Sequence, residues 1–297
     1  MSEREPFLKN HFRSLARSIS MIENEVEGYA DLLMQTQNSS AKIIGITGAP
    51  GAGKSSLTDA LIGEMIKDNK KVAILCVDPS SPFNMGALLG DRIRMSEWYN
   101  HPDVFIRSLA SRGALGGLHP KIIEISDFIK SAGFDYVVIE TVGVGQSEVD
   151  IAGLADITVV MLVPEGGDVI QTMKAGLMEV ADIFVINKFD RPGADTFYNN
   201  LKKMLGPVYN KSSNKIPILK TIASEKTGVA ELYQVIKNSE TNAKSEMKID
   251  LLALKAWTLI QNEKMRGIDK KIVRIEIAKQ IENEQFNLYR YIKKYSM

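Results

Sequence analysis

The sequence predicts an α/β fold: a doubly wound, mostly parallel sheet with a helical extension before it and a helical arm after it. Three observations predict this. Near-continuous apolar runs recur through the middle of the chain (KIIGIT, KVAILCVD, DVFIRSL, YVVIE, ITVVMLV, DIFVIN and IPILKTI), and such runs suit strands buried on both faces of a parallel sheet. Helical patterns alternate with them, as in a doubly wound fold. Polar motifs stand directly after KVAILCVD, YVVIE and DIFVIN, where open α/β sheets bind ligands, beyond the carboxyl ends of strands. The expected divisions are an N-terminal helical extension over 1–40, a phosphate-loop domain over 41–241, and a C-terminal helical arm over 242–297.

Taken in order, residues 7 to 35 read as one helix, because Leu15, Ile19, Ile22, Val26 and Tyr29 recur at three- and four-residue steps. Asn38-Ser39-Ser40 breaks the pattern and leads into the first strand. The strand–helix alternation then runs to about residue 241. Beyond it, Ile249, Leu252, Ala256, Leu259 and Ile260 form one helical stripe, and Ile268, Ile272, Ile275, Ile281, Leu288 and Ile292 continue it. A terminal arm with an apolar face packs on its own domain or joins two subunits. Among 297 residues, 44% are apolar and 25% charged, which is ordinary for a soluble globular protein. The net charge of +1 leaves no electrostatic footprint for nucleic acid or an anionic membrane. The single cysteine, Cys76, lies in an apolar run, where it reads as a packed strand thiol and fits a reducing compartment. The charged N-terminus lacks an apolar signal core and no apolar run approaches a bilayer span. The expected location is cytoplasmic, or an organelle after loss of a transit peptide.

The chemistry starts at Ile43 to Leu57, IIGITGAPGAGKSSL. Here G-x-x-x-x-G-K-[ST] stands between a candidate strand and a candidate helix, the context of a phosphate-binding loop. Gly48, Gly51 and Gly53, with Ala49, Pro50 and Ala52 between them, allow the backbone N–H groups to close on phosphate oxygens. The helix start at Lys54, Ser55 and Ser56 adds its dipole. Lys54 reaches the β and γ phosphates, and the Ser55 hydroxyl holds Mg²⁺. Hard oxygen ligands for that metal are sought at strand ends: Asp78 closes the second strand, Asp91 follows in Leu-Gly-Asp-Arg, and Glu140 closes YVVIE, with Gly143 after it offering an N–H to the γ phosphate. Base choice is read from Asn187-Lys188-Phe189-Asp190. A carboxylate at Asp190 accepts from guanine N1–H and the 2-amino group, whereas adenine leaves it unpaired, which discriminates on the order of 10⁴-fold. The Lys188 stem lies over the base, and Ala223 offers a backbone N–H to guanine O6. The expected cofactors are GTP or GDP with Mg²⁺. No residue directly after Gly143 orients the attacking water, because Val144 stands there; Gln146 and Glu148 are the candidates. A missing positioning group implies slow hydrolysis alone and acceleration by a partner.

The spans RSLARSISMIEN, GITGAPGAGKSSL, VDPSSPF…GALLGDRIRM, ETVGVGQSEVD and GDVIQTMKAGLMEVADIFVINKFD together resemble the acyl-CoA mutase-associated GTPase chaperones of the MeaB/ArgK type, within the G3E class of P-loop GTPases. Glu140-x-x-Gly143, with Glu where most G proteins have Asp, is similar to that wider class. The resemblance covers about residue 10 to residue 228. It implies a homodimeric G protein that gates adenosylcobalamin delivery to a B12-dependent acyl-CoA mutase, methylmalonyl-CoA mutase by default, and protects or reactivates it. It implies that Asp78, Asp91 and Glu140 serve the metal and the first two switches. It also implies a third switch at 167–174, in which Asp168, Gln171 and Lys174 transmit nucleotide state and complete the hydrolytic site; read alone, that segment is an ordinary helix start capped by Asp168. The chain has no Asp-x-His-x-x-Gly cobalamin segment, so the cofactor is expected on the partner.

Two positions depart from the family pattern. Met85-Gly86 stands for Gly-Gly in the first switch, and Glu165 for a common Gly at the third. Both are expected to alter switching while leaving phosphate and base contacts untouched. Three rival readings remain: a nickel metallochaperone GTPase, a protein kinase linked to amino-acid transport, and a dimer module that binds GTP without hydrolysing it. The first requires a Cys/His cluster, whereas the chain has Cys76 and the separated His11, His101 and His119.

Overall fold

The computed structural model describes residues 4–37, 39–78, 95–111, 118–141, 151–165, 180–209, 216–239, 246–282 and 286–295. The chain divides into two compact units, Met1–Lys244 and Ser245–Met297.

Among the described residues the larger unit has seven strands: β1 (Lys42–Gly48), β2 (Val72–Asp78), β3 (Val104–Ala110), β4 (Tyr136–Glu140), β5 (Ile157–Leu162), β6 (Ile183–Ile186) and β7 (Ile218–Lys220). Their order is β3-β2-β4-β1-β5-β6-β7, and every pairing is parallel. Each apolar run of the sequence is one of these strands. The chain leaves β1 toward β2 on one side and places β5 to β7 on the other, so the order reverses at β1. In such sheets the crevice at that reversal, beyond the carboxyl ends, receives the ligand.

Successive residues of β1 point to opposite faces, and both faces are covered. Ile44 and Ile46 pack with Leu57, Leu61 and Met65 of α3 (Lys54–Lys67), and with Leu232 and Ile236 of the helix Val229–Asn238. Ile43 packs on the other side with Leu15, Ile19 and Ile22, and with Ile125 and Ile129 of α4 (Ile122–Ser131). On the second half of the sheet, Val160, Leu162, Phe184 and Ile186 meet Phe197, Leu201 and Leu205 of α5 (Ala194–Tyr209). Val229–Asn238 is α6. This double cover explains the lack of polar alternation in the strands. Gly45 serves packing: a Cβ there would lie 2.5 Å from Ile151 Cγ1 and 3.1 Å from Ala155 Cβ. Gly45→Val is therefore expected to cost about 1–3 kcal/mol through overpacking. A thermal melt superimposable on the wild type would overturn that assignment.

The N-terminal helix departs from expectation. Instead of one helix over 7–35 there are two, α1 (Arg4–Glu23) and α2 (Tyr29–Met34). The break comes where Glu25 takes φ 50° and Gly28 φ 87°, left-handed values that no α-helix contains. Val26, which kept the helical period, is exposed, whereas Leu15, Ile19, Ile22 and Tyr29 are buried. Arg107 of β3 ties α1 down by donating to Ser20 Oγ at 3.0 Å and to Glu23 Oε2 at 2.8 Å. Lys42 closes the other end of the unit. Its ammonium donates to the carbonyls of Ile236, Lys237 and Ser239, at 3.4, 3.1 and 2.6 Å, placing a cation at the C-terminal end of α6.

The smaller unit contains α7 (Glu246–Lys264), α8 (Lys270–Glu282) and α9 (Leu288–Ile292). The apolar stripe expected to run on from residue 268 is interrupted, with Gly267 at φ 86° between α7 and α8. Glu276 pairs with Lys294 and accepts from the hydroxyl of the buried Tyr291 at 2.7 Å; the hydrogen bond from Lys294, then that from Tyr291, holds its carboxyl below the usual carboxylate range. Leu254, Trp257, Ile260, Ile272, Ile275 and Ile281 are exposed. Among the described residues no helix is long and apolar enough to cross a membrane.

Candidate functional site

The loop after β1 has the backbone its glycines predict. Gly48, Gly51 and Gly53 have φ of 146°, 74° and 95°. Two of them also make close approaches: a Cβ on Gly48 would collide with the Met161 carbonyl of β5, and one on Gly53 would lie 2.5 Å from Asn187 Nδ2. Gly53 is the N-cap of α3 and Lys54 its first residue, so the helix N-terminus opens on the loop. Ala49, Pro50 and Gly51 are exposed, Ala52 is fully buried, and Ser56 is half-buried. Lys54 is buried, and its ammonium donates to Gly48 O at 2.8 Å and Ala49 O at 3.1 Å. The cation is therefore held across the mouth of the loop, where phosphate oxygens are expected.

Ser55 and Glu140 are both buried, and Ser55 Oγ donates to Glu140 Oε1 at 2.6 Å. This contact joins residues 85 apart in sequence because β4 lies beside β1, with Ile46 opposite Glu140. On the far side of β4, Cys76 stands opposite Glu140; Asp78, two residues further, ends β2 at the same edge. Behind this edge Thr141 Oγ1 lies 3.1 Å from Thr47 Oγ1, and the Thr141 N–H donates to Ile46 O. The buried threonine pair locks the ends of β1 and β4 together. Asp91, Gly143, Val144, Gln146, Glu148, Asp168, Gln171, Lys174, Met85 and Gly86 lie outside the described residues.

Asn187 follows β6 and is 3% exposed. Its amide nitrogen donates to Ala52 O at 2.8 Å, and its amide oxygen accepts from Thr221 Oγ1 at 3.0 Å and the Ala223 N–H at 2.9 Å. One side chain thus fastens the phosphate loop to the loops after β6 and β7. Sequence reasoning assigned Asn187 to base choice and did not see this staple. It did not name Thr221 at all, although Thr221 stands two residues before Ala223 in Thr-Ile-Ala-Ser. The Ala223 N–H expected at guanine O6 here donates to Asn187.

The rest of the base motif is more open. Lys188 has φ 55°, and the Phe189 N–H donates to Thr221 O. Asp190 is exposed at the rim. Glu165 was expected to stay clear of the base contacts, and the structure corrects that. Its Oε2 lies 3.7 Å from Lys188 Nζ and its Oε1 3.6 Å from Arg191 Nε. The reason is topological: Glu165 follows β5, which pairs with β6, so the two loops leave the sheet side by side.

Cys76 is buried in β2, as a packed thiol should be. His119 is buried with its Nδ1 accepting from the Lys121 N–H at 3.0 Å, and His101 Nδ1 accepts from the Asp103 N–H at 3.2 Å. Among the described residues no group of three His, Cys, Asp or Glu side chains could hold a metal ion.

Comparison with known proteins agrees with this geometry. Residues 15–266 match the family model described as methylmalonyl Co-A mutase-associated GTPase MeaB. A Pyrococcus horikoshii relative carrying a GTPase name is 43% identical over 280 residues, covering 92% of this chain and 86% of its own. GTPase ArgK of Escherichia coli is 39% identical over 204 residues, covering 67% of this chain and 61% of its own. The fused isobutyryl-CoA mutase of Geobacillus kaustophilus is 34% identical over 274 residues, which are 85% of this chain and 25% of that protein. A crystal structure titled as a LAO/AO transport system kinase superposes with a TM-score of 0.62 over 100% of this chain and 98% of its own at 23% identity, a likeness of fold. With its phosphate loop at the point where the strand order reverses and with these relatives, the chain belongs to the methylmalonyl-CoA mutase-associated GTPase MeaB family and is a GTPase.

Proposed function

We propose that this GTPase is a chaperone of an adenosylcobalamin-dependent acyl-CoA mutase, slow alone and accelerated by the partner, gating cofactor loading and protecting or reactivating the mutase. The observation that carries the proposal is the fused relative: a segment similar to 85% of this chain is one quarter of a protein named as an isobutyryl-CoA mutase. Fusion raises the effective concentration of two functions that work on each other. Methylmalonyl-CoA mutase is the first partner to test, with the isobutyryl-CoA enzyme second. The test is retention of purified mutase on immobilised protein with GDP, with a non-hydrolysable GTP analogue, and without nucleotide, paired with phosphate release with and without mutase. Nucleotide-dependent retention and faster hydrolysis are expected. Equal retention in all three conditions, with an unchanged rate, would overturn the chaperone role.

The residues of the site divide the work of in-line attack on the γ phosphate, which asks for positioning and charge stabilisation rather than covalent chemistry. Lys54 and the loop N–H groups of residues 48–53 hold the phosphates. The adjacent hydroxyl and carboxylate of Ser55 and Glu140 are hard oxygen donors that fit Mg²⁺, with Asp78 and Asp91 completing its surroundings. When bound, Mg²⁺ neutralises charge on the β and γ phosphates. Gly143, Gln146, Asp168, Gln171 and Lys174 keep their roles in γ-phosphate contact, water positioning and switching as part of this proposal. Asp190 reads the base, with Lys188 beside it. Asp190→Asn replaces an acceptor by a donor toward the 2-amino group, so GTP affinity is expected to fall on the order of 10²-fold or more, while xanthine nucleotide, with a 2-oxo group, gains. A variant that keeps its preference for guanine over xanthine in competition would disprove the assignment.

The exposed apolar residues of α7 and α8 support a homodimer formed through 242–297, with 1–40 a helical extension of the phosphate-loop domain at 41–241. A near-neutral chain gives no charge reason for nucleic-acid or membrane partners, and the reduced, buried Cys76 fits the cytoplasm.

A further inference from the structure

We infer that Glu165 is a positioning residue for guanine recognition, acting through Lys188 and Arg191 on the base motif; this rests on the guanine-binding reading above. Glu165 stands three residues after Leu162, the last residue of β5, and reaches the loop after β6. Its two oxygens face two different cations, Lys188 Nζ at 3.7 Å and Arg191 Nε at 3.6 Å. Arg191 Nε in turn lies 3.8 Å from Asp190 Oδ2. These four side chains form a chain of alternating charge, Lys188–Glu165–Arg191–Asp190, along the rim of the base site.

Each link has a consequence for the base. Lys188 sits in a left-handed backbone conformation, and its stem is the surface offered to the base plane. Drawing the ammonium toward Glu165 limits the directions that the stem samples before nucleotide arrives, which lowers the ordering cost of binding. Among the described residues Arg191 pairs with Asp190, the carboxylate assigned to guanine N1–H and the 2-amino group. A second carboxylate on the same guanidinium competes with Asp190 for it. Without Glu165, Arg191 turns its full charge on Asp190, which then has to break a stronger ion pair to meet the base. Both effects make Glu165 favour binding. Both act on nucleotide affinity, before chemistry.

The size of the effect follows from exposure. The side chains of Glu165, Lys188 and Arg191 are 48%, 35% and 53% exposed, and half-exposed pairs contribute modestly. Loss of both pairs is expected to weaken GDP binding by about three- to fivefold. Removing a negative charge near a nucleotide pulls the other way, but that long-range repulsion is screened beyond about 8 Å at 0.15 M salt.

The test measures GDP affinity and steady-state GTP hydrolysis at 0.15 M salt for wild type, Glu165→Gln, Glu165→Asp, Arg191→Gln and the double variant Glu165→Gln with Arg191→Gln. Expected are a three- to fivefold weaker GDP affinity for E165Q, a loss below twofold for E165D, and kcat within twofold of wild type for both. In the R191Q background the E165Q effect is expected to shrink, because one of its two routes is gone. The inference is overturned if E165Q binds GDP as tightly as wild type or tighter, if kcat falls with affinity unchanged, or if the full loss persists in the R191Q background. Failure of the underlying reading looks different: wild-type protein itself then shows no preference for GDP over ADP.

Discussion

Lys54→Met is expected to lower the rate of GTP hydrolysis by about 10²–10³-fold, the loss found when one preorganised donor to developing charge is removed. Lys54 is buried at the first position of α3, and its ammonium donates to the Gly48 and Ala49 carbonyls at the mouth of the loop. The protein thus carries a positive charge held in place on the edge that phosphates enter, with little rearrangement needed when they do. Methionine keeps the apolar stem and approximate length and deletes the charge. The two carbonyls lie in a loop whose neighbours Ala49 and Pro50 are exposed, so water replaces the lost donor and the melting temperature moves little. Phosphate release under single-turnover conditions is the measurement, with circular dichroism melting as control. A folded variant that hydrolyses within tenfold of wild type would remove Lys54 from the chemistry.

Asn187→Ala is expected to act on two levels at once. The side chain makes three hydrogen bonds, to Ala52 O, Thr221 Oγ1 and the Ala223 N–H, and both Asn187 and Thr221 are buried. Alanine leaves these partners without their amide, and each buried polar group left unsatisfied costs about 1–3 kcal/mol. With partial relief by water, a destabilisation of about 2–4 kcal/mol is expected, read from denaturant midpoints. Nucleotide affinity should fall as well, because the phosphate loop loses its tie to the base side of the crevice. Asn187→Asp separates the effects: a carboxylate still accepts from Thr221 and Ala223 but faces the Ala52 carbonyl with no donor. Stability closer to wild type than N187A, with nucleotide affinity equally reduced, is the expected pattern. Wild-type stability in N187A would mean that the staple contributes nothing.

Much of this was legible in the chain because its causes are local. The seven strands stand where the apolar runs are, since a strand buried on both faces has no polar position to alternate with. The phosphate loop was legible because G-x-x-x-x-G-K-S specifies backbone angles, and Gly48, Gly51 and Gly53 adopt them. The single helix expected over 7–35 failed for a reason that periodicity does not register. Val26 continued the apolar step, yet Glu25 and Gly28 turn the backbone left-handed, and Val26 ends in solvent. Likewise Glu165 was expected to leave the base contacts untouched, because no local pattern shows that the loops after β5 and β6 leave the sheet side by side.

The chain by itself determined the fold class, through apolar runs that recur along its middle, and the phosphate loop, through residue type and spacing within about fifteen residues. Tertiary structure alone decided which motifs meet. Only the strand order β3-β2-β4-β1-β5-β6-β7 brings Glu140 to Ser55, Asn187 to Ala52 and Glu165 to Lys188. Those contacts depend on which strands lie side by side, a choice made by packing both faces of the sheet at once and carried by no single stretch of sequence.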